Sequence, residues 1–233
     1  MGRLRAVGLA VGLALALAGP LVAEELRFVV PEYAPFSGTV AGKAGGIGVD
    51  LALKVLHEAG VTPRVDVVSN FARCVGEVRF GGAAGFFVGS KATDRDAVAI
   101  LSDRILTNRW IWVWRSDSLV DPKAPEFKAR AEVGVILNSN PHTWLKDHGY
   151  LVTGTPPNVA GLLAMLDTKR FDALLVPELI FQQGLRTTGR PATAYQSSLE
   201  VEQAMGIYVS KKTLSEHPDL LTRINVAIKK LGL

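Results

Sequence analysis

A chain of 233 residues with 48% hydrophobic and 21% charged side chains is long enough for one large domain or two small ones and too apolar to be disordered. The formal charge is +4, and setting aside Arg3 and Arg5 of the leader leaves +2, with no long basic run, which argues against a nucleic-acid partner. One cysteine, Cys74, excludes an internal disulfide and, without a histidine cluster, a metal site; it reads as a small apolar residue on a helix, and no cofactor is expected.

Residues 1–23 read as a secretory signal peptide. Arg3 and Arg5 form a basic start, the stretch from Ala6 to Ala23 is uncharged, and acidic residues begin at Glu24 and Glu25. Cleavage is placed after Ala23, with Ala18 as the second choice. The competing reading is a retained anchor, because 18 apolar residues could just span a bilayer. Glycine, alanine and Pro20 weaken it. No cysteine ends the apolar stretch, so no lipid anchor is expected there.

After the leader, short apolar runs alternate with helical patterns. Leu26 to Val30 reads as a strand, Tyr33 to Gly46 as a loop, and Gly48 to Ala59 as a helix ended by Gly60. Val65 to Val68 is a second strand, Phe71 to Phe80 a second helix and Gly85 to Val88 a third strand. That order implies parallel pairing with crossover helices. Trp110, Trp112 and Trp114 alternate with Ile111 and Val113. The indoles could form a ligand platform, but a packed sheet face is the preferred reading.

Periodicity is lost from Arg115 to Pro125, and the same grammar then restarts. Val133 to Leu137 is a strand, followed by a turn and by Pro141 at the first position of a helix, where its missing N–H does no harm. Val159 to Leu166 is a helix, Ala173 to Val176 a buried strand and Gly206 to Val209 another. Pro218 to Leu231 is a helix with Leu220, Ile224, Ala227 and Ile228 on one stripe.

Several strings, in this order, resemble the family 3 extracellular solute-binding proteins, the polar-amino-acid-type binding subunits of ABC importers. "LRFVVPEYAPFSG" from Leu26 is similar to that family's opening strand and aromatic loop; "GVDLAL" from Gly48 is similar to its first helix start. "KATDRD" from Lys91 and "LSDRI" from Leu101, "VGVILNS" from Val133 and "KRFDA" from Lys169 extend the likeness over the whole chain after the leader. The resemblance implies an α/β, periplasmic-binding-protein-like fold of two α/β lobes joined by a two-segment hinge. Lobe 1 would comprise 24–114 and 204–233, and lobe 2 would comprise 115–203. The implied role is capture of a small polar solute, amino-acid-like or a small carboxylate, by lobe closure in the periplasm. The protein would be a monomer delivering to an inner-membrane ABC permease, with no enzymatic activity.

By the same resemblance, Arg95 matches the arginine that clamps a ligand carboxylate, and Ser90 matches a position contacting that group. The competing reading of Arg95 is a surface side chain paired with Asp94 or Asp96. Tyr33, Phe36 and Phe71, with Arg73 beside it, would face the ligand, although core packing explains Phe36 equally well. Ser139 and Asn140 would close from lobe 2 while capping a helix. Two departures bear on specificity. The family's lobe 2 aspartate, which pairs with an α-ammonium group, falls at Pro177, with Glu178 as a neighbouring substitute; and Ala84 stands where an acidic residue is common. Two alternatives remain open. One is a cyclohexadienyl-dehydratase-like enzyme on the same fold, with Glu178 and His142 as candidate acids. The other is an accessory protein that kept the clamp to bind a partner.

Mass spectrometry of protein from the native host is expected to find an N-terminus near Glu24. Intact Met1 on membrane-bound protein would contradict the leader reading.

Overall fold

The computed structural model describes residues 24–233; the expected leader lies outside the described residues. In chain order the first half contains β1 (Glu24–Pro31), β2 (Gly38–Val40), β3 (Lys43–Gly45), α1 (Ile47–Glu58), β4 (Val61–Val68), α2 (Phe71–Arg79), β5 (Gly85–Ser90), α3 (Thr93–Asp96), β6 (Ala99–Leu101) and β7 (Leu106–Arg115). The second half contains α4 (Phe127–Arg130), β8 (Glu132–Val135), α5 (Asn140–Asp147), β9 (Leu151–Gly154), α6 (Val159–Asp167), β10 (Ala173–Pro177) and α7 (Glu178–Thr188). After a 3-10 turn at Ala192–Ala194 come β11 (Tyr195–Ser210), α8 (Lys211–Glu216) and α9 (Leu220–Lys230).

The fold is two α/β lobes whose sheets run into one another. The strand order is β4-β1-β5-β11-β7-β10-β8-β9, with β6 also pairing β11. In lobe 1, β1 pairs in parallel with both β4 and β5. In lobe 2, β8 pairs in parallel with both β9 and β10. The two long strands β7 and β11 are antiparallel to their neighbours and to each other, from Tyr195 opposite Arg115 to Met205 opposite Leu106. They are the two segments of the hinge.

Parallel strands with helices on both faces are buried on both faces, so their sequences lose the alternation of a half-exposed strand. β1 shows this directly. Phe28 and Val30 pack into a core with α1 and α9, while Val29 packs on the other side with Cys74, Val75 and Val78 of α2. Cys74 is fully buried, and burial pushes its thiol up to about 12. The C-terminal helix α9 docks Leu220, Ile224, Ala227 and Ile228 against this lobe 1 core. In lobe 2, β7 puts Ile111 and Val113 against α6 and α7, and Trp110, Trp112 and Trp114 against Phe127, Leu145, Val133 and Val135. The tryptophans are therefore a packed sheet face, with Trp112 Nε1 donating to Glu200 at 3.0 Å.

Three expectations need correction. The segment after Tyr33 is not all loop, because Gly38–Val40 and Lys43–Gly45 pair as a small hairpin. The strand expected over Gly206 to Val209 is the end of a strand sixteen residues long. Helix α7 was not expected, since its start carries a proline at the cap and no Ser, Thr, Asp or Asn to announce it.

Gly85 marks the tightest approach in lobe 1. It lies in β5 between β1 and β11, and a Cβ there would sit 2.1 Å from the Tyr208 carbonyl oxygen and 2.9 Å from the Phe28 ring. The carbonyl belongs to the sheet and cannot yield. Gly85→Ala is expected to lower unfolding free energy by about 2–3 kcal/mol, about 5–10 °C in Tm. Denaturant unfolding of the two proteins checks this.

Candidate functional site

The parallel strands of both lobes end at one cleft of about 480 Å³, a volume suited to a small-molecule ligand. It lies where the loops that follow the strand ends face each other, the usual site in open α/β sheets.

From lobe 1 come the loop after β1, with Pro31, Glu32 and Tyr33, and the start of α2, with Asn70 and Phe71. Tyr33 stacks on Phe36 at 5.1 Å and meets Phe71 edge-on at 5.8 Å. Its hydroxyl accepts a hydrogen bond from Asn108 at 3.2 Å, and burial pushes its phenol up to about 12. From lobe 2 come Ile136 to Asn140, Asn158 and Val159, and Pro177, Ile180 and Gln183 of β10 and α7.

The polar wall is made largely of helix starts. Asn70 caps α2 by accepting from Arg73 N–H, Ser139 caps α5 by accepting from His142 N–H, and Asn158 caps α6 by accepting from Gly161 N–H. The start of α7 also reaches the cleft through Pro177. Helix N-termini carry free N–H groups and a partial positive charge. With their carbonyl oxygens used for capping, the amide groups of Asn70 and Asn158 have NH₂ donors left to offer.

Arg95 is buried, with 5% of its surface exposed. One Nη donates to the Ser90 carbonyl at 2.7 Å, and the guanidinium lies 4.1 Å from the centre of the Phe71 ring. Its Nε has no hydrogen-bond partner, and among the described residues it makes no ion pair. The surface pairing considered from sequence is therefore not what the structure shows. Asp94 is exposed, and Asp96 instead accepts from the Tyr208 hydroxyl at 2.8 Å. Burial pulls the Arg95 pKa down from its ordinary value, with Asp94 acting against it.

Of the other expected site residues, Tyr33, Phe71, Ser139 and Asn140 line the cleft together. Phe36 does not. It is fully buried, packed on Val88 and Met205 under Tyr33. Arg73 points away from the cleft and pairs with Glu77 at 2.7 Å, because residue 73 lies two positions along α2 from Phe71 and so on a different face. Ser90 is buried and works through its carbonyl. Glu178 is drawn to Arg109 at 3.3 Å and does not line the cleft, whereas Pro177 does. His142 is buried, its Nδ1 accepting from Asn138 N–H at 3.1 Å. Sequence reasoning missed Asn70, Asn158 and Gln183. The first two stand directly before helical patterns and carry a readable cap signal; Gln183 depends on α7.

The strand bulge beside this site is strained. β5 and β11 shift register so that Val88 has no partner, and Val88 adopts φ 58°. A β-branched residue rarely takes that conformation. Asn138, at the matching strand end of lobe 2, also has φ 58°, a conformation asparagine tolerates.

By sequence, the chain matches no family model and no curated protein. By structure it is similar to the arginine-binding protein of T. maritima in its arginine-bound form, with TM-score 0.63 and 19% identity over 91% of this chain and 98% of that one. It is similar to a histidine kinase sensor domain with similarity to periplasmic binding proteins, with TM-score 0.68 and 17% identity over 89% and 90%. It is also similar to the GluR0 ligand-binding core of Nostoc punctiforme in complex with L-glutamate, with TM-score 0.66 and 17% identity over 89% and 92%. These likenesses show the fold: a periplasmic-binding-protein-like clamp.

All four tyrosines have raised pKa values: burial is the leading cause for each, and Tyr33 and Tyr195 are both pushed up to about 12. A group protonated more tightly when folded stabilises the fold fully below its unfolded pKa of about 10 and loses that contribution as pH rises through its folded value. Stability is therefore expected to fall between about pH 10 and 12, and tyrosinate absorbance should rise together with unfolding. Absorbance and circular dichroism followed across that range check this; ordinary tyrosine ionisation in the still-folded protein would contradict it.

Proposed function

We propose that this chain, built on the periplasmic-binding-protein fold, is an exported, monomeric, non-enzymatic solute-binding protein. It captures a small carboxylate or similar acceptor-rich solute between its lobes in the periplasm and delivers it to an inner-membrane ABC permease. Two units carry the closure, a discontinuous lobe 1 of 24–114 with 204–233 and a continuous lobe 2 of 115–203. The observation that carries the reading is the donor-rich cleft. The starts of α2, α5 and α6 converge on it with their caps already engaged. Each helix start favours an anion by about 0.3–1 kcal/mol, more when partly buried. Arg95, desolvated and without an acidic partner, supplies the full charge beneath them.

The same geometry disfavours an obligatory α-ammonium group. A buried ammonium needs a carboxylate or several acceptors. At the lobe 2 position Pro177 offers no side-chain acceptor and Glu178 is held by Arg109, while the carboxylate in the cleft lining, Glu32, stands on the lobe 1 side and accepts from the N–H and hydroxyl of Thr39. An aromatic wall of Tyr33 and Phe71 suits the apolar part of such a solute.

A thermal-shift screen of the purified protein against organic acids, amino acids and amines is expected to find carboxylates that raise Tm. Calorimetry then compares an amino acid with its 2-hydroxy analogue. The analogue should bind equally or more tightly; a preference for the amine of about 100-fold, roughly 2.7 kcal/mol, would overturn this specificity. Arg95→Met, which keeps the packing and removes the charge, should weaken the best carboxylate by about 30- to 1,000-fold, equivalent to about 2–4 kcal/mol. Unchanged affinity would remove Arg95 from the site.

A further inference from the structure

We propose that the Phe71 ring is a gate that occupies the anion position of Arg95 and must swing aside before a solute's anionic group can reach the guanidinium. The inference deepens the solute-binding reading above and rests on it for the identity of the cleft.

The argument begins from an imbalance. An arginine with 5% of its surface exposed ordinarily has a carboxylate or a full set of acceptors, because an uncompensated buried charge is heavily penalised. Arg95 has neither. One Nη is satisfied by the Ser90 carbonyl, Nε has no partner, and the nearby Asp96 is taken by Tyr208. What covers the guanidinium is the Phe71 ring, 4.1 Å from ring centre to guanidinium carbon. A ring face attracts a cation, but it accepts no strong hydrogen bond and leaves Nε unsatisfied.

The two residues stand differently toward the cleft. Phe71 lines it and Arg95 does not, so this buried cation meets the cleft through an aromatic ring. Phe71 is the first residue of α2 and only half-buried, while the helix behind it is fixed by the Asn70 cap. Its side chain can change rotamer without disturbing the helix. Besides the contact with Arg95, the ring contact it gives up is the edge contact with Tyr33. A carboxylate arriving in its place brings two oxygens to a planar fork of donors, a stronger partner than a ring face. The exchange therefore runs toward the anion, and the ring sets a threshold that neutral solutes and weak acceptors do not pass. Phe71 acts in this scheme as a specificity-determining residue.

The test uses formate, the smallest carboxylate, and reads Arg95 itself. In a proton–nitrogen NMR spectrum, the Arg95 Nε–H signal is identified by its loss in Arg95→Lys. In the wild-type protein without formate it should be displaced upfield by the Phe71 ring current. Adding formate should move it downfield. Phe71→Ala should remove the upfield displacement and bind formate about tenfold more tightly, since the anion no longer competes with the ring. Phe71→Leu, which preserves apolar bulk and serves if the alanine variant folds poorly, should lose the displacement and tighten formate binding by a smaller factor. Formate binding no tighter in either variant than in wild type would overturn the gate. So would formate that binds while the ring-current displacement persists, or an Arg95 signal that formate never moves in any of the three proteins. A solute screen that finds no ligand would sink the solute-binding reading without touching this readout. A tight carboxylate that binds with the Phe71 displacement intact would sink the gate and leave that reading standing.

Discussion

From Leu106 to Arg115, β7 hydrogen-bonds to β11 in an antiparallel ladder interrupted by one bulge near Leu199–Val201, and this ladder fixes where two parallel sheets can face each other. β11 continues past it to pair with β5 through Met205–Val209, and β7 pairs with β10 through Trp110–Val113. Each lobe is thus attached by a strand running antiparallel to its own parallel set. The strand ends of both sets, and the helix starts that follow them, come to the same gap. Without this pair of long strands the helix starts of α2, α5 and α6 would belong to separate surfaces and no cleft would form between them.

The placement has electrostatic consequences. Helix starts are useful to an anion only where water is partly excluded and several of them point at one place. The two-lobed arrangement supplies both conditions. It also leaves Arg95 buried in lobe 1 without an ion pair among the described residues, under a ring that belongs to the cleft wall. The acidic side chains near the cleft are held elsewhere: Glu32 by Thr39, Glu178 by Arg109, Asp96 by Tyr208. Of these three carboxylates only Glu32 lines the cleft, and only Glu178 is held by an opposite charge.

Backbone strain is also found at this level of the molecule. Val88, in the left-handed region, sits in the β5–β11 bulge just before Ser90, whose carbonyl holds Arg95. The bulge turns the strand end so that the Ser90 carbonyl meets the guanidinium, and the packing of Val88 against Phe36 and Met205 holds the unfavourable backbone in place. Phe36, expected as a ligand contact, serves the site from below as the support on which Tyr33 stacks.

The sequence by itself determined the alternation of strands and helices in each lobe, the burial of β10, the cap of α5 and the packing of the tryptophan face, because these follow from local periodicity and from which residues can cap a helix. Resemblance added the two-lobed architecture. Other features were not legible. The length of β11 was hidden because its first part is half-exposed and polar and reads as loop. α7 was hidden because proline is its cap, and with it went Gln183. The directions of Arg73, Glu178 and Phe36 depend on partners 4, 69 and 52 positions away (Glu77, Arg109 and Val88), and the last two are brought near only by the sheet. Tertiary structure alone decided that Arg95 is buried beneath Phe71 rather than paired with Asp94 or Asp96. A side chain's partner is chosen by three-dimensional proximity and desolvation, and neither is written in the spacing of residues along the chain.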